Sequence, residues 1–229
     1  MQVKLRKDQS LLIWASVASL ALWVVPWLRP ALFPLIYYNT HIHELCHALA
    51  GVLSGGGDVV IKVFADGSGV TRTLGGSPIL LATSGYVGSA IVGGILIFGS
   101  RTVQSAKRTL WVAASFFAFS MVFFVRGDVV GVVSGIGWLV ALVSMALWLK
   151  GDAKIFAVQF LGIQQCLTSV YAFLALLQVS TMPGGHSDAG NMDQATHVPA
   201  IVWAVLWLFI ALAVIGFGVR SAWSSKPRS

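Results

Sequence analysis

The sequence predicts an all-α membrane protein with about six or seven transmembrane helices and a small β-hairpin after the second of them. Of the 229 residues, 57% are hydrophobic and only 10% are charged, whereas soluble domains average about 25% charged residues. The apolar residues gather in runs of about 20, the length a helix needs to cross a bilayer. We therefore expect one integral, multi-pass membrane unit over residues 1–229.

Seven apolar runs are candidate spans. The first is too long for the apolar core of a signal peptide and ends in tryptophan, arginine and proline, so it is interpreted as a retained N-terminal helix. The remaining six, over residues 34–219, form the expected core. Glycines recur in the third run and predict close helix packing. The runs cover residues 11–28, 34–53, 78–98, 110–125, 129–149, 155–179 and 199–219.

The net charge of +7 does not indicate nucleic-acid binding. The basic residues lie between the apolar runs and at the two ends, where lipid headgroups would meet them. Membrane lipids are therefore the expected partners, and nothing in the sequence fixes an oligomeric state. The two cysteines, Cys46 and Cys166, lie inside apolar runs and exclude a disulfide framework.

Two polar connections differ from the others. Residues 55–77 hold two β-rich runs around a glycine turn, which predicts a hairpin. Residues 180–198 form the longest polar loop, with two histidines, two aspartates and no lysine or arginine. A loop of that length without structure of its own is often functional.

The most informative motif is His43-Glu44-Leu45-Cys46-His47, which lies inside the second apolar run. Histidines at i and i+4 share one face of a helix and can hold one Zn²⁺ together. Glu44 projects about 100° from His43, at the edge of that face, and can activate a metal-bound water without binding the metal. Ionisable groups within an apolar span are costly, so they need partners or a function.

A catalytic zinc usually has three protein ligands, so a third ligand should lie elsewhere in the chain. The candidates are Asp188, Asp128, Asp152, Asp193 and His186. Asp188 is preferred because it lies in a polar stretch just before the last span. Asp128 follows an apolar helix, and its ligand chemistry alone does not exclude it as the third ligand. Asp152 lies between two lysines, as expected of a solvated charge.

Other polar residues near these motifs have simpler interpretations. Cys46 is expected to be a small buried apolar residue rather than a soft ligand. His41 projects away from His43 and, like His197, is interpreted as an interfacial histidine. His186 is a candidate hydrogen-bond donor to Asp188.

The chain resembles a known family at this point. The segment from His43 to Gly51, the glycine-rich hairpin and the stretch Gly85-Tyr86-Val87-Gly88-Ser89-Ala90 resemble the intramembrane zinc metallopeptidases of the site-2 protease class. The compact bacterial-type, M-fifty-B-like branch is the nearest group, and residues 187–203 resemble its second motif. The Asn-Pro…Leu-Asp-Gly motif of other members is absent from the sequence.

The resemblance implies a zinc ion held by His43, His47 and Asp188, with Glu44 as the catalytic acid and base. It implies hydrolysis of peptide bonds in a membrane-protein or peptide substrate, within or near the membrane. Two alternatives of another class stay open from the residues themselves. One is a membrane protein with a structural or sensing metal site, and the other is a transporter.

Overall fold

The computed structural model describes residues 5–179 and 187–224. Apart from one two-stranded sheet the described chain is helical, which confirms the predicted fold class. The helices are α1 Lys7–Val24, α2 Leu32–Leu53, α3 Pro78–Gly99, α4 Val103–Phe123, α5 Val129–Trp148, α6 Asp152–Val179, α7 Asp188–Thr196 and α8 Ala200–Ser224. The strands, β1 Gly57–Val63 and β2 Gly69–Leu74, lie between α2 and α3.

The first predicted span ends earlier than expected. Helix α1 ends at Val24, and a short 3-10 helix, Pro26–Ala31, leads into α2. The reason is local, because a proline disfavours helical backbone in the residue before it, and Val25 is extended. The chain bends by 108° between α1 and the helical segment from Pro26 to Leu53.

The predicted number of six or seven spans is not confirmed. Among the described helices, α3, α5 and the part of α8 up to Ser221 are long and apolar enough to cross a membrane. The bent pair of α1 with the segment Pro26–Leu53 would add a fourth if the two form one broken span.

Helix α3 lies at the centre of the helical part and packs against α2, α6 and α8. Its glycines make these approaches possible, as predicted. A Cβ atom at Gly88 would lie 2.6 Å from Cys46 Sγ on α2, and one at Gly93 would lie 2.9 Å from the main-chain oxygen of Gly162 on α6. These two glycines thus let α2 and α6 approach α3 closely.

The hairpin packs on the C-terminal half of α2. Alternate residues of β1, namely Val59, Ile61 and Val63, are buried against Leu45 and Ala48 of α2, as the period of two in a strand requires. The outer edge of β1 is closed, because the main chain of Ile61 bonds to that of residues 124 and 126. No main-chain hydrogen bond between described residues reaches the outer edge of β2.

The predicted polar loop at 180–198 contains a helix, which corrects the expectation of a loop without structure. Helix α7 begins after Ser187, whose side chain accepts a hydrogen bond from the Gly190 amide, the usual role of serine at this position. Ala189 and Met192 are fully buried between α3 and α8. These apolar contacts anchor a helix that is otherwise mostly polar.

Candidate metal centre

The structure brings together the three residues proposed as metal ligands. His43 Nε2 lies 3.0 Å from His47 Nε2. Asp188 Oδ2 lies 3.3 Å from His43 Nε2 and 3.1 Å from His47 Nε2. Three potential ligand atoms from α2 and α7 therefore point at one position, although about 140 positions of sequence separate His47 from Asp188.

The donor set and its dimensions fit a zinc ion. Ligand atoms around a tetrahedral zinc with bonds of about 2.0–2.1 Å lie about 3.3 Å apart, close to the separations in this cluster. Two neutral imidazoles and one carboxylate are common zinc ligands, and they leave a fourth position open.

Asp188 is ionised in this setting. Burial would raise the pKa of its carboxyl, but charge interactions and hydrogen bonds with His47 and His43 hold that pKa well below its usual range. Its place in the first turn of α7 is also favourable, because the N-terminal end of a helix stabilises negative charge. The carboxylate is thus ready to bind a cation at neutral pH.

His47 is oriented by a neighbour on α3. Its Nδ1 atom lies 2.6 Å from the main-chain oxygen of Leu81 and 3.3 Å from Ser84 Oγ. A carbonyl oxygen can only accept, so Nδ1 carries a proton and Nε2 is the ring nitrogen that can bind a metal. This is the usual arrangement around a metal-binding histidine.

Gly85 leaves room for both histidines. A Cβ atom at this position would lie 2.5 Å from His43 Cε1 and 2.6 Å from His43 Nε2, and it would also collide with His47 Nε2. The next residue, Tyr86, packs its ring edge-on against His43 with centroids 4.9 Å apart. Helix α3 therefore shapes the cluster without contributing a ligand.

Glu44, the only glutamate in the sequence, is buried and held by the hairpin. The Thr71 hydroxyl donates to Glu44 Oε2 at 2.7 Å and also lies 3.0 Å from the main-chain oxygen of Glu44. The other carboxylate oxygen, Oε1, lies beside Gly69, where a Cβ atom would approach it to 2.7 Å. One oxygen is thus fixed, and the absence of a side chain at Gly69 keeps space beside the other.

The cluster opens into a cavity of about 950 Å³. His43, His47, Asp188 and Glu44 line it together, and β2 and the following turn supply much of the opposite wall. The three ligand candidates and the candidate base therefore face one space that is large enough for a segment of peptide.

The other candidates for third ligand lie elsewhere or have other partners. The Asp128 side chain accepts from the Gly131 amide at the start of α5, and Asp152 forms an ion pair of 2.6 Å with Lys7. Asp193 is exposed on α7, and its Oδ2 accepts from the Ala200 amide at 3.4 Å. His186 lies outside the described residues. Among the described residues Asp188 alone joins the two histidines.

The remaining sequence expectations have mixed outcomes. Cys46 packs against Gly88 and the helical core and is not part of the cluster. His41 was expected at an interface, but it is buried, and its Nε2 lies 2.9 Å from Ser134 Oγ of α5. His197 is exposed and ends α7 in the left-handed conformation.

Sequence reasoning missed Thr71 as a neighbour of Glu44. Its only signal was its place in the second β-rich run of the predicted hairpin, which says nothing of how that hairpin lies on α2. Leu81 was also missed, because it contacts His47 through its main-chain oxygen and its residue type gives no sign of that role.

The apolar helices indicate a membrane protein, and its His–His–Asp cluster beside a buried glutamate could hold a metal ion. A sequence model of the Peptidase M50B-like family matches residues 12–218, most of the chain. The chain belongs to this family, which confirms the resemblance seen in its motifs. Membership and the apolar helices together support a multi-pass membrane protein of the peptidase type. No curated protein and no solved structure matches the chain.

Proposed function

We propose that this protein is a zinc-dependent intramembrane endopeptidase that hydrolyses peptide bonds of membrane-associated substrates. The observation that carries the proposal is the convergence of His43, His47 and Asp188 in a cavity that Glu44 also lines. Membership of a peptidase family supports the same reaction.

The metal ligands in this proposal are His43, His47 and Asp188. When bound there, zinc supplies Lewis acidity toward a water molecule and toward the oxygen of the scissile carbonyl group. The protein holds its three ligand atoms in place through the Leu81 carbonyl behind His47 and through the buried contacts of α7.

Glu44 is the general base and then the general acid. Oε2 stays bonded to the Thr71 hydroxyl, so Oε1 is the oxygen that takes a proton from the attacking water. The same oxygen then returns the proton to the leaving amine. Because the carboxylate is buried and held at one oxygen, little reorganisation is needed during the reaction.

The hairpin gives the substrate a template. Residues of β2 line the cavity, and no described main-chain group bonds to the outer edge of this strand, so an extended peptide can add to it as a further strand. The outer edge of β1 already bonds to residues 124 and 126. The substrate is therefore expected to pair with β2. A helical substrate must unwind before it binds, because helical hydrogen bonds occupy its main-chain groups.

The test is the variant Glu44→Gln, in purified protein reconstituted into nanodiscs with a library of membrane-inserting peptides. We expect the wild type to cleave members of the library and the variant to lose at least about a hundredfold in rate, the usual worth of a general base. The zinc content should stay the same in both. Equal cleavage by wild type and variant would refute the role of Glu44.

A structural or sensing metal site predicts a different pattern. In that case zinc binds, but the wild type cleaves no peptide in the library. A transporter would in addition move a solute across the bilayer at a rate that Glu44→Gln need not change.

A further inference from the structure

Tyr86 lies at the candidate metal centre, but neither metal binding nor the role of Glu44 uses its hydroxyl. It follows Gly85 on α3 and lines the cavity beside β2. It also lines a second cavity, of about 710 Å³, which is bounded by α2, α3 and α6. His43 and Glu44 line the same two cavities. Tyr86 therefore borders the space in which a peptide bond would be cut.

The ring of Tyr86 is held from two sides. It packs edge-on against the ring of His43, with centroids 4.9 Å apart, and it stacks on Trp207 of α8 at 5.5 Å. Trp207 is itself buried and packs against Trp203. Because the contacts come from two different helices, they restrict the ring and fix the place of its hydroxyl relative to His43.

The Tyr86 hydroxyl is available to a guest. It has no hydrogen-bond partner among the described residues. Tyr86 is only partly buried, and its oxygen keeps accessible surface, whereas the oxygen of Tyr38 is buried and unpaired. The Tyr86 oxygen also lies near enough to the carboxylates of Glu44 and Asp188 to interact with their charges. An accessible donor without a partner therefore stands beside the cluster.

Hydrolysis of a peptide bond needs such a donor. When water adds to the carbon of the scissile carbonyl group, negative charge develops on the carbonyl oxygen. A donor that is already in place stabilises this charge without reorganisation, and more strongly than water would. A tyrosine hydroxyl carries its proton at neutral pH and can donate one hydrogen bond, whereas the carboxylate of Glu44 can only accept.

The other polar side chains near the cluster have partners or lie further out. The Thr71 hydroxyl donates to Glu44, and the Ser84 hydroxyl donates to the main-chain oxygen of Leu81. Asn191 is exposed on α7 and, of the two cavities, lines only the one beside β2. Tyr86 is the donor that is both unbonded and packed against a ligand candidate.

We propose that Tyr86 is a catalytic residue that donates a hydrogen bond to the oxygen of the scissile carbonyl group as that oxygen gains negative charge. The O–H bond of Tyr86 stays intact, so Glu44 alone carries the proton from the water to the leaving amine. A hydrogen bond to a charged oxygen is stronger than one to a neutral carbonyl, so the contribution belongs to the transition state. This inference rests on the proposed function and adds a second group to its chemistry.

The test is Tyr86→Phe, which removes the hydroxyl and keeps the ring between His43 and Trp207. In zinc-loaded protein in nanodiscs we expect kcat to fall by about a hundredfold, the cost of losing one such donor, with KM unchanged. The zinc content should equal that of the wild type. Tyr38→Phe is the matched control, because the Tyr38 hydroxyl is buried among the helices and lines neither cavity. This control should cleave as the wild type does.

Binding gives a readout that does not depend on cleavage. A phosphinic analogue of a cleaved peptide carries a negative oxygen on a tetrahedral centre, so it reports contacts that form in the transition state. Tyr86→Phe should bind this analogue about a hundredfold more weakly than the wild type does. The uncleaved peptide, measured in proteins that also carry Glu44→Gln, should bind equally well with and without Tyr86→Phe.

The outcomes separate the inference from the proposed function. A Tyr86→Phe variant with the kcat of the wild type and its affinity for the phosphinic analogue overturns the role of Tyr86 alone. Loss of zinc, or an equal loss of affinity for the analogue and for the uncleaved peptide, would make the hydroxyl structural and would also overturn that role. A wild type that neither cleaves peptides nor binds the analogue overturns the proposed function, and the role of Tyr86 with it.

Discussion

The replacement Gly85→Ala tests whether α3 shapes the metal centre. Gly85 contributes no ligand and lies on a helix where alanine would otherwise be favoured by up to about 1 kcal/mol. An added Cβ atom would nevertheless lie 2.5 Å from His43 Cε1 and 2.6 Å from His43 Nε2. The substitution should therefore damage the site while leaving helix α3 intrinsically more stable.

The size of the effect follows from these distances. Ordinary contacts of a Cβ atom begin at 3.4 Å, so the His43 ring must retreat by about 0.8 Å. Zinc–ligand distances tolerate only about 0.2 Å. We expect the affinity for zinc to fall by about a hundredfold or more, or about 2.7 kcal/mol, comparable to the larger effects of mutations behind metal ligands.

The assay is competition for zinc with a chelator, followed by metal analysis of the purified protein. Gly216→Ala on α8 is the matched control, because a Cβ atom there meets nothing within 4 Å. The control should bind zinc as the wild type does and should melt at the same temperature or a higher one. A Gly85→Ala protein with wild-type affinity for zinc would refute the placement of both histidines against α3.

Three further predictions concern the surroundings of the cluster. Thr71→Val should slow cleavage by about tenfold to a hundredfold with zinc retained, since a hydrogen bond to a carboxylate is worth about 1.5–3 kcal/mol. Thr71→Ser should restore the rate, and Thr109→Val, on α4 and away from the cavity, should cleave normally. Met192→Ala should leave a cavity that costs about 2–5 kcal/mol and should increase hydrogen exchange in α7 and the loss of zinc; unchanged exchange would contradict the anchoring of α7. Asp128→Ala should lower the stability by about 0.5–2 kcal/mol through loss of its cap on α5, while zinc stays bound, and loss of zinc instead would make Asp128 the third ligand.

The half of the site on α2 could be predicted because it is local. His43 and His47 are four residues apart on one helix, so their common face follows from helical geometry alone. The hairpin was predictable in the same way, from two β-rich runs around a glycine turn.

The other half depends on how distant segments pack, which no spacing reveals. Asp188 reaches the histidines because Ala189 and Met192 seat α7 between α3 and α8, and the sequence of that segment reads as a polar loop. Thr71 meets Glu44 because β1 buries alternate residues on α2 and carries β2 with it. The end of α1 was misplaced for a smaller reason, since Pro26 was treated as part of an apolar run.

The central claim is that His43, His47 and Asp188 hold one zinc ion. The most direct measurement is the zinc content per chain of the purified wild type beside Asp188→Ala, with Asp193→Ala, an exposed aspartate on the same helix, as the matched control. We predict about one zinc per chain in the wild type and in Asp193→Ala, and its loss in Asp188→Ala. Zinc that stays bound in Asp188→Ala would contradict the claim, as would a wild type that binds none.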